Sequence, residues 1–413
     1  MNRFDLVVIG GGAAGFYGAI QAAEMRPGLR ILILEKTNKV LSKVRVSGGG
    51  RCNVTHHCFK PIELSHHYPR GEKQLQSIFK TYHAAHVVDW FSSKGVELKV
   101  EEDGRMFPVT DSSETIIDCF ITAAHNHKIK INVSEAVIAL SHDDSGFTIE
   151  TASRQSYRAR HVLIALGGSP KADAYEIIAS LGHNVVPSIP SLFTFNDSEK
   201  SFQDLMGISV PDAEVKIVGS KFVQRGPLLI THWGLSGPAV IKLSAWAATY
   251  LHEKKYEFSV LVSWVGPIKE DDLRAQLQSY QKNHGKQRVV GNPLFKLPSR
   301  LWEKLCSRSG VEEARIWAEL PLKNINRLLE NLMRCDFSIK GKTTFKDEFV
   351  TCGGVDLSEI DCKTMESKKI PRLHFAGEVL NVDGETGGFN FQNAWSTAFI
   401  AARSITGVQS EHT

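Results

Sequence analysis

The 413-residue sequence has no Cys-x-x-Cys pair, and its seven cysteines (Cys52, Cys58, Cys119, Cys306, Cys335, Cys352 and Cys362) are an odd, scattered set. That argues against a disulfide framework and a dithiol reductase centre, and it predicts reduced thiols in a cytoplasmic protein. The chain also lacks a charge-free apolar run of membrane-spanning length. Residues 6–20 come nearest, but Gly10-Gly11-Gly12 sits at their centre and no basic segment precedes them, so neither a span nor a signal sequence is expected. Lysine and arginine form no long block and no basic–aromatic stripe. A net charge of +4 serves phosphate-bearing ligands as readily as nucleic acid, and a nucleic-acid partner is not expected. Repeats and low-complexity segments are missing too. What remains is an ordinary globular balance, 42% hydrophobic and 23% charged, long enough for two or three domains.

The opening residues are the most informative. Residues 5–9 form a short apolar run, the mark of a strand buried on both faces. Residues 13–25 are alanine-rich with helical spacing, Pro27-Gly28 ends them, and residues 30–34 read as a second buried strand. Between strand and helix lies Gly10-Gly11-Gly12-Ala13-Ala14-Gly15, in which Gly10, Gly12 and Gly15 satisfy G-x-G-x-x-G. The first glycine allows the turn, the second admits a pyrophosphate, and the third lets the helix approach the sheet. Glu35, followed by Lys36, ends the second strand twenty residues beyond Gly15, where an acid accepts ribose hydroxyls.

Two further glycine-rich elements stand far away. Ser47-Gly48-Gly49-Gly50-Arg51-Cys52-Asn53 is a loop whose backbone can wrap an anion or a flat ring. Residues 375–392 run through Gly377-Glu378 and Asp383-Gly384-Glu385-Thr386-Gly387-Gly388-Phe389-Asn390 into a terminal helix at 394–404. A helix start there can stabilise negative charge on a reduced flavin. A further strand, 157–164, leads to Ala165-Leu166-Gly167-Gly168.

The rest reads as an extended region over 36–70, helices near 72–94, 113–127 and 173–181, and strands near 129–140 and 146–151. From about 190 to 345 the texture changes to strands (215–218, 227–231, 257–265) and helices (238–252, 269–283, 299–318, 321–334) without Rossmann glycines. The expectation is a nucleotide-binding domain formed by residues 1–190 and 346–413, with residues 191–345 inserted as a separate domain.

Taken in order, these motifs, with Gly104-Arg105-Met106-Phe107-Pro108, Thr231-His232-x-Gly234-x-Ser236-Gly237-Pro238 and Gly353-Gly354-Val355, resemble the bacterial NAD(P)/FAD-dependent oxidoreductases that include aminoacetone-oxidase-like and bile-acid-reductase-like members. The resemblance spans the chain. It implies an α/β fold: a Rossmann-like FAD-binding domain of glutathione-reductase type with an inserted β-barrel-like domain and a helical subdomain. It places Gly10, Gly12, Ala13, Ala14 and Gly15 at the pyrophosphate, and Glu35 and Lys36 at the adenosine ribose. Lys43, Ser47, Gly48, Gly49, Arg51, Cys52 and Asn53 would line the cofactor towards its ring, and Val137 would meet adenine through its backbone. Ala165, Gly167, Gly168, Gly377, Glu378 and Asp383 would hold the middle of FAD, with Gly387, Gly388, Phe389 and Asn390 at the isoalloxazine. Where the family has glycine before a basic residue, this chain has Ser42-Lys43.

The expected activity is oxidoreduction of a small organic substrate held between the two domains, with NADH or NADPH as a transient electron donor, since no second dinucleotide fingerprint exists. Oxygen is the other acceptor to weigh. A flavin-dependent RNA-modifying enzyme and a non-catalytic flavin redox sensor are the alternatives. The candidate catalytic residues are His232, before its Gly-x-Ser-Gly-Pro turn, and Cys52. The spacing of Cys52, His56, His57 and Cys58 matches no standard zinc pattern, so no metal is expected. His66-His67 reads as a solvated pair, and Trp233 and Trp246 as core residues.

Overall fold

The computed structural model describes residues 2–169, 171–343 and 350–408. Over these residues the chain divides into two compact units, Met1–Ser191 with Lys346–Thr413, and Leu192–Phe345. The boundary expected at 345/346 lies outside the described residues.

The first unit is built on a parallel sheet whose strands lie in the order Leu373–Phe375, Ser156–Ile164, Asn2–Ile9, Ile31–Leu34 and Lys130–Asn132. Leu6, Val7, Val8, Leu32, Ile33 and Leu163 are fully buried, as continuous apolar runs require when helices cover both faces. The hairpin Val137–Asp143/Gly146–Thr151 extends the sheet antiparallel along Ser156–Ile164. Two helices from opposite ends of the sequence, Ala13–Met25 and Phe389–Thr406, pack together against the sheet. An aromatic cluster of Tyr17, Trp90, Phe120 and Trp395 fills the space beside them.

The stretch 36–70, expected to be extended, instead contains helical turns at Ser42–Gly50 and Pro61–Ser65. The first is broken internally, because Ser47 is extended and Gly48 and Gly49 have positive φ. Thr55–His56 pairs with Arg105–Pro108, which pairs with Leu98–Val100 in a small sheet of its own. The helix expected over 72–94 is two helices, Glu72–Thr81 and Ala84–Ser93. His83 breaks the run by capping the second helix, accepting from the Ala85 N–H (3.3 Å) while His86 Nδ1 accepts from the His83 N–H (3.1 Å).

The second unit is a closed six-stranded barrel in the order Thr194–Asp197, Gly234–Ser236, Val223–Ile230, Ser209–Ile217, Glu257–Ser263 and Cys335–Thr343. Its helices are Pro238–Trp246, Ala248–Glu253, Glu270–Asn283, Ser299–Arg308 and Leu322–Met333. Trp264, Trp302 and Trp317 anchor its own core. The single helix expected over 299–318 stops at Arg308, with Gly310 in the left-handed region just beyond it. Among the described residues no helix is long and apolar enough to cross a membrane.

Candidate functional site

The site begins where the first strand ends. Gly10 has φ +116°, and a Cβ there would stand 2.3 Å from the Ala165 carbonyl oxygen. A Cβ at Gly15 would stand 2.0 Å from the Gly10 carbonyl oxygen. Neither position tolerates a side chain, so the turn and the helix are locked against the sheet. Gly12, by contrast, has nothing within 4 Å of where a Cβ would be, and it is the N-cap of the 13-residue helix Ala13–Met25 with no side-chain cap. The first-turn N–H groups of Ala13, Ala14 and Gly15 have no intrahelical acceptors and lie at the positive end of a helix dipole. That is the arrangement of an anion cradle.

Glu35 closes one side. Its Oε2 accepts from the Gly11 N–H (2.9 Å), and its Oε1 accepts from the Thr37 N–H (2.8 Å) and hydroxyl (2.9 Å). The adjacent Lys36 is exposed. The Glu35 carbonyl accepts from the Glu135 N–H (2.8 Å), which brings the segment leading to Val137 alongside.

The middle is an ion-paired junction. Lys43 Nζ donates to Glu378 Oε2 (2.8 Å), and the Thr351 N–H donates to Glu378 Oε1 (3.0 Å). Burial pushes the Glu378 carboxyl up, but Lys43 and the N–H groups of Thr351 and Gly168 outweigh it and hold the group below the usual carboxylate range. A Cβ on Gly168 would stand 2.2 Å from both Glu378 Oε1 and Thr351 Oγ1, so a side chain there would displace these groups. The Gly167 carbonyl accepts from the Tyr175 hydroxyl (2.9 Å). Gly377, at φ +79°, would put a Cβ 2.8 Å from Ala14 Cβ, and its N–H donates to Thr397 Oγ1 (2.9 Å).

At the far end the Ser47–Asn53 loop meets the start of the C-terminal helix. The Asn53 amide donates to the Thr55 carbonyl (3.0 Å) and accepts from the Gly388 N–H (2.9 Å). Gly388 lies against the Thr55 backbone, where a Cβ would come within 2.5 Å of the carbonyl oxygen. Gly387 faces the Phe389 ring in the same turn. Ser47 closes its own turn, its hydroxyl donating to the Val44 carbonyl (2.8 Å). Gly49 has no neighbour within 4 Å on its side-chain face.

Several expected cofactor contacts have side chains engaged elsewhere. Asp383 is fully buried, and both its oxygens are taken by Arg70, with a further bond from the Ser191 hydroxyl (2.8 Å). Burial pushes the Asp383 carboxyl up against the pull of Arg70, whose guanidinium stays charged. Arg51 pairs with Glu101 (2.6 Å) and lies 4.0 Å over the Phe107 ring. Asn390 staples its own loop, accepting from the Gly384 N–H (2.9 Å) and donating to the Gly384 carbonyl (3.0 Å). Phe389 is buried, stacked on His67 with ring centroids 4.2 Å apart.

Of the candidate catalytic residues, Cys52 is completely buried, and burial pushes its thiol up to about 12, so it carries no thiolate near neutral pH. His232 is exposed in the barrel unit, edge-on to Trp233 at 3.9 Å. The cavity it helps to line, with Asp197, Phe202 and Thr231, has a volume of about 10 Å³, room for one water at most. Among the described residues no three His, Cys, Asp or Glu side chains converge as a metal site.

A grouping that sequence reading missed lies beside Phe389. His67 Nδ1 faces Glu385 Oε2 (3.3 Å), and the Glu385 N–H donates to the His67 carbonyl (2.9 Å). His56 also packs against Phe389, with centroids 4.7 Å apart, and lies 5.9 Å from the His67 ring. Glu385 belongs to the quoted Gly-Glu-Thr-Gly-Gly run, which was the one available signal; nothing local links it to His67. The buried Asn393 Oδ1, one turn further along the helix, has no hydrogen-bond partner among the described residues.

These features fit a dinucleotide: an open Gly12 at a helix start, an acid positioned by the Gly11 N–H, and an unpartnered buried amide oxygen on the C-terminal helix.

Over residues 4–404 the chain matches the family described as the HI0933-like protein Rossmann domain. It is 29% identical to the ribosomal RNA dihydrouridine synthase of Escherichia coli K12, covering 99% of this chain and all of that protein. It is 26% identical to the 3-dehydro-bile acid delta(4,6)-reductase of Clostridium scindens, covering 98% of this chain and 99% of that protein. Among solved structures, the 3-ketosteroid-delta4-(5alpha)-dehydrogenase of Rhodococcus jostii RHA1 shares the fold with a TM-score of 0.51 at 13% identity, over 97% of each chain. The chain belongs to the HI0933-like Rossmann family and is a flavoprotein oxidoreductase whose cofactor is FAD.

Proposed function

We propose that the protein is an NAD(P)H-linked reductase that saturates a carbon–carbon double bond conjugated to a carbonyl in a small organic ring. FAD, when bound, supplies the hydride carrier between nicotinamide and substrate. In balance, NAD(P)H and one proton are consumed, hydride goes to the carbon distal to the carbonyl, and the proton goes to the proximal one. The observation that carries the reading is the uncapped start of the 18-residue helix Phe389–Thr406, whose positive end suits charge gathered on a reduced flavin. The buried, protonated Cys52 supports flavin rather than thiol chemistry. His67, oriented by Glu385 beside the same helix start, is the chain's donor for the proton. Seven free thiols suit a reducing, cytoplasmic setting where nicotinamide is at hand.

The bond class is supported from two directions. A delta(4,6)-reductase and a dihydrouridine synthase are named for saturating double bonds conjugated to a carbonyl, one in a steroid-like ring system and one in uracil. A second reading, in which the ring is a uracil within RNA, is favoured by the 29% identity to the dihydrouridine synthase over the whole length of that protein.

The test is anaerobic mixing of the FAD-loaded protein with NADH and with NADPH, followed by addition of a cyclic enone or uridine-containing RNA. Bleaching of the flavin bands by nicotinamide and their return on adding one acceptor is the expected result. A flavin that neither nicotinamide bleaches overturns the reductase reading.

A further inference from the structure

The positive charge of the protein is not evenly shared. Residues Leu192–Phe345 hold 22 lysines and arginines against 16 acids, whereas the remainder holds 27 against 29. Within that unit, residues 273–302 contain not one aspartate or glutamate but six cations: Arg274, Lys282, Lys286, Arg288, Lys296 and Arg300. At the chain's average content of acids, 45 in 413, a stretch of that length would carry about three.

The fold presents this charge on a fixed support. The stretch runs from the end of helix Glu270–Asn283 through a long irregular loop into helix Ser299–Arg308. Long loops without regular structure are uncommon inside compact units unless they do something. This one is pinned from beneath. The Trp317 N–H donates to the Gln287 carbonyl (3.0 Å), the Val289 N–H to the Arg315 carbonyl (2.9 Å), and the Trp302 indole to the Val289 carbonyl (2.8 Å). Val289 and Leu297 are buried, while Lys282, Lys286, Arg288, Lys296 and Arg300 are exposed.

Arg274 is held by Glu270 and Arg300 by the Asp204 carbonyl. Lys282, Lys286, Arg288 and Lys296 have no carboxylate within ion-pair distance among the described residues. The nearest segment adds little to offset them, because Arg315 takes Glu312 (2.6 Å) and Glu319 (3.8 Å). His284 stacks on Tyr280 at 4.1 Å on the loop's rim, offering a flat aromatic face beside the cations.

Like charges carried close together on one loop repel, and among the described residues no ion pair offsets these four. We infer that the 282–300 loop is a docking surface for the phosphate backbone of RNA, and so that the substrate ring is a uracil held in an RNA strand. The inference rests on the conjugated-bond reading for its substrate, but its binding step stands apart from the chemistry. Lysine and arginine neutralising phosphates release counterions, which sets a measurable salt dependence. Stacked aromatics at the edge suit exposed bases.

The experiment measures fluorescence anisotropy of a labelled, uridine-rich, single-stranded RNA of about 30 nucleotides, long enough to exceed one such site, titrated with FAD-loaded protein. Potassium chloride is varied from about 50 to 200 mM, a range over which backbone contacts weaken visibly. Binding that weakens with salt at a log–log slope of about −3, as four neutralised phosphates on a single strand give, is expected. The triple variant Lys286→Glu, Arg288→Glu, Lys296→Glu should lose affinity by about 100-fold or more with a shallower slope. It should keep its flavin content, thermal midpoint and rate of bleaching by nicotinamide. Lys254→Glu with Lys255→Glu, in the turn between helix Ala248–Glu253 and strand Glu257–Ser263 of the same unit, should bind RNA nearly as the parent does.

Salt-independent binding, or a triple variant that binds RNA like the parent, overturns the proposal. So does equal, variant-sensitive capture of phosphatidylglycerol vesicles, which would make the surface one for anionic lipid. If RNA binds as expected but nicotinamide never bleaches the flavin, the docking surface stands and the reductase reading falls.

Discussion

Gly377 and Ala14, 363 positions apart in sequence, approach so closely that a Cβ on Gly377 would stand 2.8 Å from the methyl of Ala14. The contact joins the turn after strand Leu373–Phe375 to the first turn of helix Ala13–Met25, the two ends of the cofactor cradle. Gly377→Ala combines left-handed backbone strain with a clash. It is expected to cost about 2–4 kcal/mol of stability and to reduce bound flavin. Chemical unfolding with parallel flavin quantification checks this; unchanged values for both would remove Gly377 from the cradle.

Gly12 and Gly15 separate binding from folding. A Cβ at Gly12 meets no atom within 4 Å, so Gly12→Val should fold near the parental melting temperature, yet it fills the space left for phosphates. A loss of FAD affinity of at least about tenfold is expected, measured by flavin fluorescence titration. Gly15→Val meets the Gly10 carbonyl at 2.0 Å and should instead lower the melting temperature or prevent folding. If the two variants behave alike, the assignment of distinct roles fails.

The His67–Glu385 pair can be tested on one half of the reaction. His67→Gln keeps a planar polar group against Phe389 but cannot donate a proton as imidazolium. Bleaching by nicotinamide should be unchanged, while reoxidation by the organic acceptor slows by about 100-fold, the range of general acid catalysis. Equal slowing of both phases in stopped flow would point to a structural role.

Stability should also fall in mild acid. Burial lowers His161 to about 4, with the neighbouring His374 adding to the effect, and burial lowers His374 to about 4 as well. Both are neutral in the folded protein at pH values where the unfolded chain, near 6.5, begins to protonate. The unfolded state therefore binds more protons between pH 6.5 and 4, and stability declines as pH drops through that window, with no contribution above it. Urea midpoints measured across the window should show this decline. His374→Gln should remove about one of the two protons taken up on unfolding. A flat profile in the parent protein would contradict the buried neutral pair.

The cradle was legible because its determinants are local. The strand, Gly10, Gly12, Gly15, the helix and Glu35 lie within about thirty residues, and hard-sphere crowding at two of those glycines permits one arrangement. The six-stranded barrel was less legible: Cys335–Thr343 begins by alternating buried and exposed residues, yet it follows directly on a helix and is not among the strands expected from the sequence. The broken turns over 36–70 were hidden because glycine and histidine there read equally well as extended chain.

Charged and polar side chains divide along the same line. From sequence Asp383, Arg51 and Asn390 look like ligand contacts, since acids, arginines and amides beside glycines so often are. Each is taken by a neighbour: Asp383 by Arg70, 313 positions away, Arg51 by Glu101, and Asn390 by its own loop. The same logic grouped His67 with Glu385 across 318 residues. Thus the sequence by itself determined the nucleotide turn, because steric rules act between residues close along the chain. Only the tertiary structure decided which polar groups face one another, because Coulomb and hydrogen-bond partners are chosen by distance in space, which the crossing of strands and helices sets.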